Sequence, residues 1–148
     1  MEVLAWAIVI GFLWWFVGHI ARGFRGGGTS GGPSSSRGYP VEVVGESHYQ
    51  AALEAICGGR SRDGAQKEVT ACLILENTNP YDENAVRVDV DGRTVGYLPR
   101  PAARTYRRRL KKSGRSDATV ECAAIIRGGW DRGRSDKGYF GIWLNVQV

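Results

Sequence analysis

The chain has 148 residues, of which 43% are hydrophobic and 24% charged. These fractions are typical of a globular protein and exclude a largely disordered one. The net charge of +5 favours an anionic partner such as nucleic acid or phospholipid, although a basic composition alone identifies neither. Three cysteines, without a C-x-x-C pair, argue against a disulfide framework and favour a reducing compartment.

The first segment of the chain has the pattern of a membrane anchor. Val3–Ala21 contains no formally charged residue, and about 20 helical residues span a hydrocarbon core about 30 Å thick. A cleaved signal peptide is the alternative, but it would begin with basic residues. Here Glu2 precedes the apolar run, and Arg22 and Arg25 follow it. We therefore predict a single transmembrane anchor in residues 1–25, with everything after it in the cytoplasm.

A Gly/Ser-rich stretch, residues 26–38, separates this segment from the rest of the chain. It has no apolar side chain to bury and is typical of a flexible linker. Residues 39–148 are then long enough for one small domain with a single core.

The first half of this domain alternates between strand and helix patterns. We predict a strand around Val41–Val44, a helix over Ser47–Cys57 with Ser47 as its N-cap, and a strand over Glu68–Glu76. A strand over Val86–Val90 and a return strand over Arg93–Leu98 flank Asp91-Gly92, the dipeptide that a two-residue hairpin favours.

The second half begins with a helix, from Pro101 to Gly114, and ends with two strands around Ala118–Arg127 and Tyr139–Val148. The order is β-α-β-β-β-α-β-β. Six short strands and two short helices predict a mainly β, α+β domain in the form of a small OB-like or SH3-like barrel.

The sequence lacks several of the common catalytic motifs. No G-x-S-x-G, Walker loop or H-E-x-x-H occurs. A four-ligand zinc site would need His48 and all three cysteines, whereas structural zinc ligands come in closely spaced pairs. We expect no enzyme, no metal and no cofactor, and a metal-dependent hydrolase is the least favoured function.

The loop "ENTNPYDENA" contains more than a turn requires. Asn79, Pro80 and Asn84 have turn-forming roles, and Asp82 can also hydrogen-bond nearby backbone amides. Tyr81 has no evident core to join. A ligand-binding role for Tyr81 and Asp82 is the hypothesis that this leaves.

A run of cations follows the return strand without an acidic residue between them: Arg100, Arg104, Arg107, Arg108, Arg109, Lys111, Lys112 and Arg115. Three interpretations remain open: a solvated helix face, a footprint for nucleic-acid phosphates, or a surface attracted to anionic lipid.

Three motifs carry a resemblance to a known family. "GESHYQ", "NPYDENAVRV" and "VGYLPRPAA" together resemble the HIRAN domain, found in helicase-like DNA-repair remodelers and as a free-standing bacterial protein. The resemblance extends over nearly all of residues 39–148. It implies an OB-like barrel that binds single-stranded DNA at its 3′ end, with a base between aromatic rings, an acid on the terminal hydroxyl and cations on the phosphates.

The resemblance also implies the site residues. Tyr81 and Asp82 match the family's loop tyrosine and aspartate, and Phe140 its stacking aromatic near the C-terminus. Arg100 matches a phosphate-binding lysine, and His48 stands in place of a tyrosine. Tyr49, Tyr97 and Arg104 complete the predicted DNA-binding set. One departure is Ser47, where the repair remodelers carry an arginine.

Two functions from different classes follow. The first is a membrane-tethered module that binds single-stranded DNA through an aromatic and acidic pocket beside the basic helix. The second is a non-enzymatic adaptor that binds a protein partner while its basic face rests on anionic lipid. Convergence of Tyr81, Asp82 and Phe140 beside Arg100 would favour the first function.

Overall fold

The computed structural model describes residues 38–148, in which strands dominate. The strands are β1 (Val41–Glu42), β2 (Ala65–Leu75), β3 (Val86–Val90), β4 (Arg93–Tyr97), β5 (Val120–Gly128) and β6 (Phe140–Leu144). The helices are a 3-10 turn (Glu46–His48), α1 (Gln50–Cys57) and α2 (Arg100–Lys112). The predicted mainly β domain with two helices is confirmed.

The strands form one curved antiparallel sheet in the order β1-β6-β5-β2-β3-β4. Its two edges meet where Val44, just after β1, pairs with Tyr97 of β4. Each residue donates its backbone N–H to the carbonyl oxygen of the other at 2.9 Å. The sheet is therefore a half-barrel whose edges are joined by a single bridge.

Gly96 allows the two edges to approach. Its φ of 152° is a backbone angle that residues with a side chain rarely adopt. A Cβ at this position would lie 2.7 Å from the Val44 carbonyl oxygen and would also collide with Val43. Because only glycine lacks that atom, the close contact between the edges depends on Gly96.

The core lies inside the curve of the sheet. Alternate residues of β3 (Val86, Val88, Val90) and of β6 (Phe140, Ile142, Leu144) are buried there. Leu53 and Ile56 of α1 and Ala103, Tyr106 and Leu110 of α2 complete it. Each helix thus packs one apolar face on the sheet and leaves its polar face outside.

The strand alternation and the hairpin turn are confirmed. Asp91 and Gly92 both have positive φ, 50° and 71°, as a type I′ hairpin requires. The predicted helix over Ser47–Cys57 is wrong in its first turn. Gly45, at φ 84°, starts the 3-10 turn that contains Ser47, and the N-cap of α1 is Tyr49, which makes no side-chain capping bond.

The predicted anchor in residues 1–25 and most of the linker in residues 26–38 lie outside the described residues. Within residues 38–148, no helix is long and apolar enough to cross a bilayer.

Candidate nucleic-acid interface

The loop between β2 and β3 is built by its own side chains. Asn79 Oδ1 accepts hydrogen bonds from the backbone N–H groups of Tyr81 (2.9 Å) and Asp82 (3.2 Å). Asp82 Oδ1 accepts one from the Asn84 N–H at 2.9 Å. Two successive side-chain turns therefore fix the direction in which the Tyr81-Asp82 segment leaves the sheet.

Helix α2 braces this loop through one arginine. Arg107 donates from Nε to the Asn84 carbonyl oxygen (3.0 Å), from Nη1 to Asn77 Oδ1 (2.7 Å) and from Nη2 to the Ala85 carbonyl oxygen (2.8 Å). All three of its nitrogen atoms point at the loop. Arg107 belongs to the cationic run but acts here as a structural clamp.

Asp82 and Arg100 lie next to each other. The Arg100 Nε atom is 3.6 Å from Asp82 Oδ2, and the two side chains are 43% and 14% exposed. The other carboxylate oxygen of Asp82, Oδ1, accepts the hydrogen bond from the Asn84 N–H. An oriented acceptor and a partly exposed cation therefore stand at one point of the loop.

Tyr97 connects this point to the segment that contains His48. Its hydroxyl group is hydrogen-bonded to that of Tyr49, and burial raises the pKa of both tyrosines. Backbone pairing of Tyr97 with Val44 places the 3-10 turn, with the exposed His48, directly after the bridge. The structure thus pairs Tyr49 with Tyr97 and, separately, Asp82 with Arg100.

Arg87 is a guanidinium that the sequence interpretation did not single out. It is paired with Tyr97 in the sheet and forms ion pairs with Glu76 (3.1 Å) and Asp89 (2.9 Å). Burial alone would lower the pKa of Arg87, but the two carboxylates together outweigh it and raise this pKa. Because two carboxylates already bind it, Arg87 holds the base of the loop and does not offer a free positive charge.

The structure places Phe140 in the core. Only 2% of it is exposed, Arg60 lies over its ring at 5.2 Å, and a Cβ on Gly129 would collide with the ring. A base stacks on a ring face that solvent can reach, so Phe140 does not supply the stacking surface that the resemblance implies. The preceding residue, Tyr139, is 74% exposed.

Gln50 links this strand end to the start of α1. Its amide donates to the Phe140 carbonyl oxygen (2.9 Å) and accepts from the Phe140 N–H (2.8 Å), and it also donates to the Glu46 carbonyl oxygen at 3.0 Å. The backbone that carries Tyr139 is thereby tied to the segment that carries His48 and Tyr49.

Comparison with protein families agrees with the motifs on this surface. The family model described as the HIRAN domain matches residues 39–124. The chain belongs to the HIRAN domain family. A search of the curated proteins and a search of the solved structures gave no match.

The HIRAN match covers the loop, the Tyr49–Tyr97 pair and α2, and it ends within β5. Membership of this family supports nucleic-acid binding as the general function. Tyr139 and Phe140 lie beyond the matched residues, so the family assignment does not depend on either of them.

Glu46 is another residue of this HIRAN domain that the sequence interpretation missed. Burial raises the pKa of its carboxyl group from 4.5 to about 7, and the neighbouring Glu42 adds to the shift. A hydrogen bond from the Ile142 backbone favours the charged form but is the smaller effect. The carboxyl group of this first residue of the 3-10 turn therefore titrates near neutral pH.

Two of the missed residues left a signal in the sequence. Tyr139 precedes an alternating strand whose inward residues are Phe140, Ile142 and Leu144, so the alternation already places Tyr139 outward. Arg87 lies between Val86 and Val88, both inward, and two positions from Asp89, which favours an outward ion pair. Gln50 left no such signal, because its partners are backbone atoms.

Arg104 is exposed one helical turn after Arg100.

No cluster of three or more His, Cys, Asp or Glu side chains suited to a metal ion occurs in residues 38–148. All three cysteines are free and only partly accessible.

Proposed function

We propose that this HIRAN domain binds single-stranded DNA without catalysing a reaction and reads the free 3′ end of the strand. The observation that carries the proposal is the Asp82–Arg100 pair at the edge of a loop that Asn79 and Arg107 hold rigid. A preformed acceptor beside a cation is what a terminal hydroxyl and its neighbouring phosphate require.

The chemistry of Asp82 favours an end over an internal nucleotide. A carboxylate can only accept hydrogen bonds, and a free 3′ hydroxyl can donate one. An internal nucleotide would instead bring a phosphodiester against the carboxylate, and two like charges repel. Arg100, within 3.6 Å of the same carboxylate, can take up the phosphate on the 5′ side of the terminal sugar.

The stacking surfaces in this proposal are Tyr81 and His48. Base stacking on aromatic rings contributes about 1–3 kcal/mol per base and tolerates any sequence. We assign to Tyr139, in place of the buried Phe140, the third aromatic contact. Tyr49 and Tyr97, half-buried and joined through their hydroxyl groups, are assigned a supporting role next to the 3-10 turn rather than a stacking role.

The tether belongs to the proposal as well. Val3–Ala21 would anchor the chain in a membrane and leave the domain free on the linker, with the domain in the cytoplasm. This part depends on the uncharged run and on Arg22 and Arg25 behind it.

Fluorescence anisotropy of the full chain in detergent tests the DNA-binding proposal. The ligands are oligothymidylates with a free 3′ hydroxyl, with a 3′ phosphate, and as a blunt duplex. We expect the free single-stranded end to bind more tightly than both others. Equal affinity for all three would contradict end recognition, and no binding to any of them would favour the adaptor function.

A further inference from the structure

Helix α2 presents a row of cations that starts at the Asp82–Arg100 pair, the candidate end pocket. At 100° per residue, Arg104, Arg108 and Lys111 lie on the flank of α2 next to Arg100, whose side chain contacts Asp82. Arg107, which clamps the loop, lies at the edge of the same flank. The core residues Ala103, Tyr106 and Leu110 occupy the other side of the helix.

The row is exposed and uncompensated. Arg104, Arg108 and Lys111 are all exposed. In the described part of the chain, none of the three forms an ion pair, and α2 contains no acidic residue. Like charges held this close on one helix repel one another in the free protein, and an anionic partner would relieve the repulsion.

We propose that this row binds the phosphates of the DNA strand as it leaves the end pocket, so that the strand runs along α2 with its 3′ end at Asp82. The proposal deepens the proposed function and rests on it. It names the path, the polarity and the length of the bound strand.

The spacing of the row fits a single strand. Residues four apart on a helix are separated by about 6 Å along its axis, a distance comparable with that between neighbouring phosphates of an extended strand. From Arg100 to Lys111 the row covers about 16 Å. The bound strand would therefore extend a few nucleotides beyond the terminal one, within the site sizes of about 4–16 nucleotides known for OB folds.

The test uses two double variants of the full chain that differ only in the flank they alter. Arg108→Gln with Lys111→Gln removes two charges from the row. Arg109→Gln with Lys112→Gln removes two charges from positions turned by about 100°, where Arg109 contacts Gln147 instead of the loop. Both pairs lower the net charge equally and leave Asp82, Arg100 and Arg104 in place.

Affinity is measured for oligothymidylates of two, four and eight nucleotides, each with a free 3′ hydroxyl. We expect wild-type affinity to rise with length and the row variant to lose most of that rise, roughly tenfold for the longest ligand, as two exposed ion contacts would give. Its slope of log affinity against log salt should fall by about 1.4, since each single-strand phosphate contact contributes about 0.7. The control variant should bind as the wild type does.

Three outcomes would contradict the inference. Equal losses in both double variants would show a diffuse charge effect, and a wild-type affinity independent of length would show that no strand follows the helix. In the third, phosphatidylserine added to the detergent micelles competes with wild-type oligonucleotide binding, the row variant loses that competition, and its oligonucleotide affinity is unchanged. That result would assign the row to lipid. Failure of end recognition is separate, since it appears as equal wild-type affinity for free and phosphorylated 3′ ends of one length.

Discussion

Tyr139 and Phe140 are neighbours in sequence but face opposite ways at the start of β6, one 74% exposed and the other 2%. Adjacent residues of an extended chain point to opposite sides of a sheet. The two aromatic side chains therefore have separable roles, and substitution of each should affect a different measurement.

Tyr139→Ala should weaken binding of single-stranded DNA by about 1–3 kcal/mol, the contribution of one stacking partner, and leave the free energy of unfolding nearly unchanged. Phe140→Leu should lower the free energy of unfolding by about 1–2 kcal/mol through poorer packing, with the affinity of the folded protein retained. Anisotropy titration and urea denaturation of both variants measure the two effects. The opposite pattern would return the stacking role to Phe140.

Asp82→Asn separates the charge of the loop carboxylate from its role in the turn. The amide oxygen can still accept the Asn84 N–H, so the loop should keep its shape and the protein its stability. The preference for a free over a phosphorylated 3′ end should fall severalfold, because the repulsion of the phosphate is gone. Asp82→Ala, which also loses the turn bond, should show that fall together with a lower melting temperature. Unchanged end preference in Asp82→Asn would mean that the carboxylate has only a structural role.

Arg107→Gln should destabilise the domain, and Arg108→Gln should not. Arg107 makes three hydrogen bonds to the loop, and loss of a charged donor to backbone carbonyls costs about 1–3 kcal/mol. Arg108 is exposed, and such surface substitutions stay within about 0.5 kcal/mol. Urea denaturation of both variants measures the difference, and hydrogen exchange at the Asn84 and Ala85 amides should show whether the loop loosens in Arg107→Gln alone.

Stability should fall as pH rises through neutrality, because of Glu46. Its pKa is raised from 4.5 to about 7 in the folded chain, so between these values the native state holds a proton that the unfolded chain has released. Linkage then makes the contribution of Glu46 greatest below about pH 4.5 and progressively smaller up to about pH 7, above which it levels off. Denaturation midpoints at pH 5, 6, 7 and 8 should show this slope, and Glu46→Gln should flatten it. An identical slope in the variant would rule out Glu46 as its source.

The sequence predicted the regular part of the fold because that part follows from local rules. Asp91-Gly92 adopts the positive φ angles that its hairpin needs, and Val86, Val88 and Val90 alternate into the core. The first three residues of β2, Ala65 to Lys67, were missed, since Gln66 and Lys67 are exposed and show no apolar alternation. Pairing with β5, from Ala65 opposite Gly128 onward, makes them a strand.

The candidate site was predictable where it is local and not where it depends on distant contacts. Asn79 and Asp82 form their turns with residues two or three positions away. The clamp by Arg107 crosses 22 to 30 positions of sequence, and nothing in the cationic run distinguishes it from its neighbours. Phe140 was assigned to the site by resemblance alone. The alternation of β6 instead turns its side chain into the core, together with Ile142 and Leu144.

Among the described residues, the two edges of the half-barrel are paired only by the bridge between Val44 and Tyr97, fewer residue pairs than join any two neighbouring strands of the sheet. We call this contact the seam. The segment that leads from this seam carries His48 and Tyr49, and the strand on its other side leads to Arg100. A DNA end that contacts both His48 and Arg100 would hold the two edges of the sheet together. Binding of DNA would then reduce local opening of the Val44–Tyr97 pairing. The amide protons of Val44 and Tyr97 should therefore exchange more slowly when DNA is bound.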